Sequence, residues 1–223
     1  GVEMVNVPQG NFEVGDVTST STYNSTTITA TSQSSGLTSA TLGGASVTVP
    51  STFPMGYNSF YCMKYEITQE QYVEFLNSLT YTHQAARVNA DPISAPGTYA
   101  MNNGHRNGIR ISVSGSNAAL PAVFACDGTA GIENNSDDGQ NIACNYLSWG
   151  DLAAYLDWAA LRPMTEMEYE KVCRGPMPRI AGEYPWGSTN IQAVYNTSAG
   201  LVNDFTASES FSPASNGLCC YGV

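Results

Sequence analysis

Six cysteines are the first residues to weigh for chemistry: Cys62, Cys126, Cys144, Cys173, Cys219 and Cys220. No two stand in a Cys-x-x-Cys arrangement, and only two histidines occur, His83 and His105. A four-ligand zinc centre built from nitrogen and sulfur therefore has no support. An even cysteine number in an acidic, Ser/Thr-rich chain points to an oxidising, extracellular setting. Cys126, Cys144, Cys219 and Cys220 are the disulfide candidates, and the sequence selects no pairing. Cys219 and Cys220 are adjacent, so a bond between them is strained. Cys173 falls on the apolar face of an expected helix and reads equally well as a core thiol.

Carboxylates are the next candidates. Glu166, Glu168 and Glu170 could suggest acid–base work, but they sit where a helix begins and complement its dipole there. Glu168 is expected to cap, Glu166 to be solvated and Glu170 to pair with Arg174 at i+4. The run ENNSDDG, Glu133 to Gly139, is rich in oxygen donors. In a calcium-loop register starting at Asn134, the twelfth position is Asn145 rather than a glutamate, so an exposed turn is the simpler reading. Three N-x-[ST] sequons occur, at Asn24, Asn134 and Asn196, and each is a glycan acceptor in a secreted protein. Trp149, Trp158 and Trp186 have faces that stack on sugars, but their placement in helices and a turn predicts core anchors.

Three helices are legible from their caps. Thr68 with Gln71 forms a capping box ahead of Tyr72, Phe75, Leu76 and Leu79, one apolar face. Ser148 with Asp151 opens a second helix with the stripe Leu152, Tyr155, Leu156 and Ala159, which Pro163 is expected to stop. Thr165 with Glu168 opens a third, with Met167, Tyr169, Val172 and Cys173 as apolar surface and Gly175 as terminator. Strands are expected on both sides of Pro8-Gln9-Gly10, over Phe60 to Ile67, and in GIRISVSG, Gly108 to Gly115. Between Thr18 and Thr41, 16 of 24 residues are Ser or Thr. Threonine favours strands, so this tract and SVTVP after it predict hairpin arms, with a flexible or O-glycosylated segment as the alternative.

Composition sets the outer limits. The chain has 223 residues, 42% hydrophobic and only 12% charged, with a net charge of −11. About 25% charged is usual, so the polar surface rests on Ser, Thr, Asn and Gly or on glycans. The negative charge argues against nucleic acid or an anionic membrane as partner. No stretch approaches the ~18 apolar residues of a membrane span.

Four blocks, taken in order, resemble the sulfatase-modifying-factor domain, the formylglycine-generating-enzyme-like branch of the C-type-lectin-like folds. They are MVNVPQGNFEVG, FYCMKYEITQEQYVEFLN, LSWGDLAAYLDWAALRPMTEMEYEKVCRG and EYPWG. The resemblance covers 1–15 and 53–223 and implies a single domain over 1–223. Its fold class is α+β, an irregular fold with few helices, short strands and much loop, and 16–52 is a Ser/Thr-rich inserted arm. The family's G-N-V-W-E-W and R-G-G-S segments have no counterpart here. Its copper-binding cysteine pair lies in that region, and the residues flanking Cys219-Cys220 do not match it, so no copper site is expected. Family members hold calcium after the Y-P-W-G turn, which points to Asn196, the Thr197 carbonyl and Asp204 as oxygen ligands.

These readings together predict a catalytically inert, extracellular structural or surface-assembly subunit. It would be a glycosylated homo-oligomer or filament joined by strand exchange. The alternatives are the N-terminal portion of a formylglycine-generating oxidase and a lectin-like module binding glycans or proteins.

Overall fold

The structure is a computed structural model that describes residues 1–15, 25–31, 52–102, 106–116, 119–129, 131–184 and 189, with the backbone of 192–193 and 218–219. It is mixed α+β, with few helices and short strands in small sheets. Two compact units emerge, one built around 65–163 and the other around 2–64 and the described residues from Met164 onward.

In the second unit, β1 (Met4–Val7) pairs antiparallel with β4 (Phe60–Met63), placing Val5 opposite Cys62 and Asn6 opposite Tyr61. β2 (Phe12–Val14) pairs with β3 (Thr26–Ile28), Phe12 opposite Ile28. The two strands flanking Pro8-Gln9-Gly10 are therefore present, but each takes its partner from elsewhere. Ile28 comes from the Ser/Thr-rich tract and is fully buried beside Phe12, Val14, Met55 and Met167. That piece of the tract is core, because one isoleucine among threonines supplies the apolar side of a strand. The remainder of the expected inserted arm, 16–24 and 32–51, lies outside the described residues.

Helix α4 (Glu166–Arg174) closes this core with Met167. Its capping box is complete: the Thr165 hydroxyl accepts from the Glu168 N–H, and the Glu168 carboxylate accepts from the Thr165 N–H. The Thr165 hydroxyl also donates to the Pro54 carbonyl at 2.8 Å. Gly175 ends the helix at φ 64, a backbone state that favours glycine. Gly56, at φ 80, lets the chain pass close to α4: a Cβ there would stand 3.1 Å from the Phe12 ring and 3.4 Å from the Met167 carbonyl. Thr165→Ala removes both the cap and the tie to Pro54. The expected loss is about 1–2 kcal/mol, read as a lower urea midpoint with an unchanged slope.

The 65–163 unit holds α1 (Gln69–Asn77), α2 (Tyr81–Ala85), β5 (Ile109–Val113), β6 (Val123–Cys126) and α3 (Trp149–Trp158). β5 and β6 pair antiparallel with an irregularity between Ile111 and Val113. α1 packs on β6 and buries Tyr72, Val73, Phe75 and Leu76. Phe75 and Tyr155 of α3 meet edge to face, with centroids 5.8 Å apart. This arrangement lets aromatic quadrupoles attract. Polar side chains stitch the layers. Gln84 donates to Leu76 and Ala122 carbonyls and accepts the Ala122 N–H. Gln69 donates to the Arg106 carbonyl and accepts the Gly108 N–H. α3 ends at Trp158, before Pro163, because Ala160 takes a left-handed φ of 56.

Two further short strands, β7 (Gln192–Ala193) and β8 (Leu218–Cys219), pair in parallel. No described helix is long and apolar enough to cross a membrane.

Candidate functional site

The described thiols are the residues with the most chemical potential, and position decides what each can do. Cys126 is the last residue of β6 and fully buried. Its N–H donates to the Asn134 side-chain oxygen, and its carbonyl accepts the Asn134 N–H. Cys144 donates its N–H to the Ile67 carbonyl, on a segment that runs antiparallel to the start of α1 through Ala143 and Thr68. Burial pushes the Cys126 thiol up to about 12, with Glu70 and Asp138 adding to it. Burial does the same to Cys144, also to about 12, helped by Cys126 and Asp151. Cys62 and Cys173 are half-buried, and both are raised, burial first. All four are free thiols here.

A reactive thiol needs the opposite setting, with a helix N-terminus, a cation or a metal favouring the thiolate. The surroundings of Cys126 and Cys144 are apolar or acidic and favour the neutral thiol. A metal held by a cysteine pair must also face substrate, which enclosed Cys126 does not. Buried Cys126 therefore fits a substrate-facing copper centre poorly.

These shifts have a consequence for alkaline stability. An unfolded thiol ionises near about 8.5, while Cys126 and Cys144 stay neutral to about 12. A group raised on folding contributes stability that is complete below the unfolded value and is lost as pH climbs through the folded one. Lys171, lowered chiefly by burial, acts in the opposite sense, so the thiols must be isolated by difference. Between pH 7.5 and 10.5 the urea midpoint of the native chain is expected to fall further than that of Cys126→Ala.

The acidic residues prove structural. Glu168 is buried in its cap, Glu166 is exposed, and Glu170 meets Arg174 at 3.2 Å. Glu170 also accepts the Gly15 N–H at 2.7 Å. Burial raises it, and these two partners oppose the rise. In the ENNSDDG run, the fully buried Asp138 carboxylate accepts N–H groups of Thr129 and Asn135, so it staples the turn. No cluster of three metal-ligating side chains occurs among the described residues.

Asn134 is exposed at a left-handed φ of 61, which asparagine tolerates. Trp149 is 69% exposed and Trp158 45%, so neither is the core anchor expected. Trp149 stands at the first position of α3, facing away from the packed stripe, while Trp158 leans on Phe75 at 5.6 Å. Tyr169 and Val172 of α4 are exposed for a similar reason: Met167, Glu168 and Lys171 take the inner face. Asn24, Asn196, Thr197, Asp204, Cys220, His105 and Trp186 lie outside the described residues, as does the Cys219 side chain.

Comparison with known proteins supplies the family. The model of the sulfatase-modifying factor enzyme 1-like domain matches residues 1–219. The chain belongs to that family. Formylglycine-generating enzyme of Mus musculus is 26% identical over 136 residues, which are 59% of this chain and 34% of the relative. The enzyme of the same name from Bos taurus is 25% identical over the same shares. That of Thermomonospora curvata is 26% identical over 129 residues, 56% of this chain and 40% of the relative. Matched residues thus span only about a third to two fifths of the curated relatives' length. No solved structure gives a significant match. Within this sulfatase-modifying-factor domain, the capping boxes at Thr68, Ser148 and Thr165 fall in the blocks that carry the resemblance.

Proposed function

We propose that this chain is a noncatalytic, extracellular structural module of the sulfatase-modifying-factor type that assembles with further copies through its strand edges. The observation that carries this reading is the β1–β4 pair. None of its eight residues is fully buried, and Val5 and Tyr61 are 44% and 68% exposed. Two-stranded sheets are marginal alone, and an open edge is a template for another strand. Calcium on Asn196, Thr197 and Asp204, from the family resemblance, and glycans on Asn24, Asn134 and Asn196, from the sequons, belong to this proposal as surface features. Light scattering across a concentration series tests it. Mass is expected to grow with concentration, whereas a constant 23.7 kDa monomer contradicts assembly.

A second reading is favoured by the relatives named formylglycine-generating enzyme. In it the chain is part of an oxidase whose reactive thiols lie outside the described residues. Aldehyde formation on a cysteine peptide distinguishes it from the first.

A further inference from the structure

In an antiparallel ladder, alternate residues turn both backbone groups to the same edge. The Asp127 N–H donates to the Gly108 carbonyl beside β5, so Phe124 and Cys126 turn theirs away from β5. Ala122, just before β6, does the same. Each of the three meets one carboxamide residue. The Gln84 amide donates to the Ala122 carbonyl at 2.9 Å, and its oxygen accepts the Ala122 N–H at 2.8 Å. Asn77, the last residue of α1, closes Phe124 in the same way, at 2.9 Å and 2.8 Å. Asn134 closes Cys126: its side-chain oxygen takes the N–H at 3.0 Å, and its own N–H reaches the carbonyl at 2.8 Å. A carboxamide carries the donor and acceptor of a peptide group, so the three stand in for a strand. The far edge of β5 is taken by backbone, where Ile111 donates to the Thr98 carbonyl and accepts the Gly97 N–H. The β1–β4 pair differs. The Lys64 N–H donates to the Glu3 carbonyl, which turns the backbone of Met4, Asn6 and Tyr61 outward. Among the described residues nothing pairs with those groups.

We propose that Gln84, Asn77 and Asn134 form an autoinhibitory cap that closes the β6 edge to strand addition by a second copy of this chain. An edge with free N–H and C=O groups is a template for another strand, and the cap occupies those groups. Gln84 is fully buried, while Asn77 and Asn134 are exposed, so the cap lies at the surface along Phe124 and Cys126. Removing the Asn77 amide frees both outward groups of Phe124. The occupant of the opened edge is β6 of a second copy, because the same groups are then free on both molecules. Two such edges pair antiparallel about a twofold axis, an isologous contact. Val123, beside Phe124, is 45% exposed and uncharged, so it offers no repulsion to the incoming strand. Joining of native copies through the β1–β4 pair rests on the assembly reading above; closure of β6 does not.

Amide hydrogen exchange, followed by NMR on the isotope-labelled whole chain across a concentration series, tests this. In the native chain the Ala122, Phe124 and Cys126 amides are expected to exchange slowly and at one rate throughout. Those of Asn6 and Tyr61 are expected to slow as concentration rises. In Asn77→Ala, with the spectrum otherwise native, the Phe124 amide exchanges roughly tenfold faster when dilute and slows again when concentrated. Adding Val123→Lys places a charge on the edge strand, which abolishes that concentration dependence and leaves the fast rate. Native β6 amides that slow with concentration would overturn the proposal. So would a Phe124 amide in Asn77→Ala that stays as protected as in the native chain, or that stays fast at every concentration. Asn6 and Tyr61 amides indifferent to concentration would overturn the assembly reading instead, with the β6 result unaffected.

Discussion

Gln84→Leu is expected to lower Tm by roughly 10 °C, because no surrounding group can replace what the amide does. Gln84 is fully buried at the end of the short helix α2. Its amide nitrogen donates to the Ala122 carbonyl at 2.9 Å and the Leu76 carbonyl at 3.0 Å. Its oxygen takes the Ala122 N–H at 2.8 Å. Leucine fills similar space but leaves both backbone groups of Ala122 unpaired in a dry interior. Leu76 suffers less, since its carbonyl also accepts from Leu79. Each buried unpaired group costs about 1–3 kcal/mol, so the two together cost about 2–6 kcal/mol. The neighbouring exposed Thr82 serves as control, and Thr82→Ala should stay within about 0.5 kcal/mol. A differential scanning trace showing equal Tm for the two variants would contradict the role given to Gln84.

Arg174→Met should have a comparable effect with a distinct pH signature. The guanidinium bonds the Glu183 carboxylate at 2.6 Å, the Glu170 carboxylate at 3.2 Å and the Glu13 carbonyl at 2.7 Å. Its side chain is only 12% exposed. Removing one partner of a buried ion pair costs about 3–5 kcal/mol, because the other charge is left uncompensated. Glu170 is already raised by burial, and Arg174 is one of the groups restraining that rise. Without it the carboxyl rises further above its unfolded value. A carboxyl raised on folding destabilises the native state once the unfolded form ionises, and the penalty vanishes below that point. The charge part of the Arg174→Met deficit should therefore be full at pH 7, shrink as pH falls through the raised Glu170 value, and be gone by about pH 4.3. A deficit constant across that range would mean that lost packing, not charge, is responsible.

Local signals in the sequence were sufficient wherever a helix cap was involved. All three capping boxes form as their residue types dictate, and Gly175 ends α4. The Glu170–Arg174 pair follows from i,i+4 spacing alone. Non-local pairing was not legible. Nothing in MVNVPQGNFEVG says that Met4–Val7 will pair with Phe60–Met63 rather than with Phe12–Val14, because register is set by partners distant in sequence. β6 and α2 were invisible for another reason. Val123–Cys126 is too short to show a period, and Tyr81–Ala85 is held by Gln84 and the Thr80 carbonyl rather than by an apolar stripe.

The thiols divide in the same way. Four cysteines were candidates for oxidation on composition, but strand and helix placement decides which can meet. Misplacing Trp149 and Trp158 in the core has a simple origin. Aromatic area predicts burial on average, yet the inner faces of α1 and α3 were already filled by Tyr72, Phe75, Tyr155 and Leu156.

The most direct test of the scaffold reading is aldehyde production. The purified chain is supplied with copper(I) and oxygen, incubated with a cysteine-containing sulfatase peptide, and the peptide is analysed by mass spectrometry after aldehyde capture. A noncatalytic module leaves the peptide cysteine at the level seen with copper(I) alone. Formation of formylglycine above that level, lost in Cys219→Ser or Cys220→Ser, would contradict the account and establish the chain as part of an oxidase.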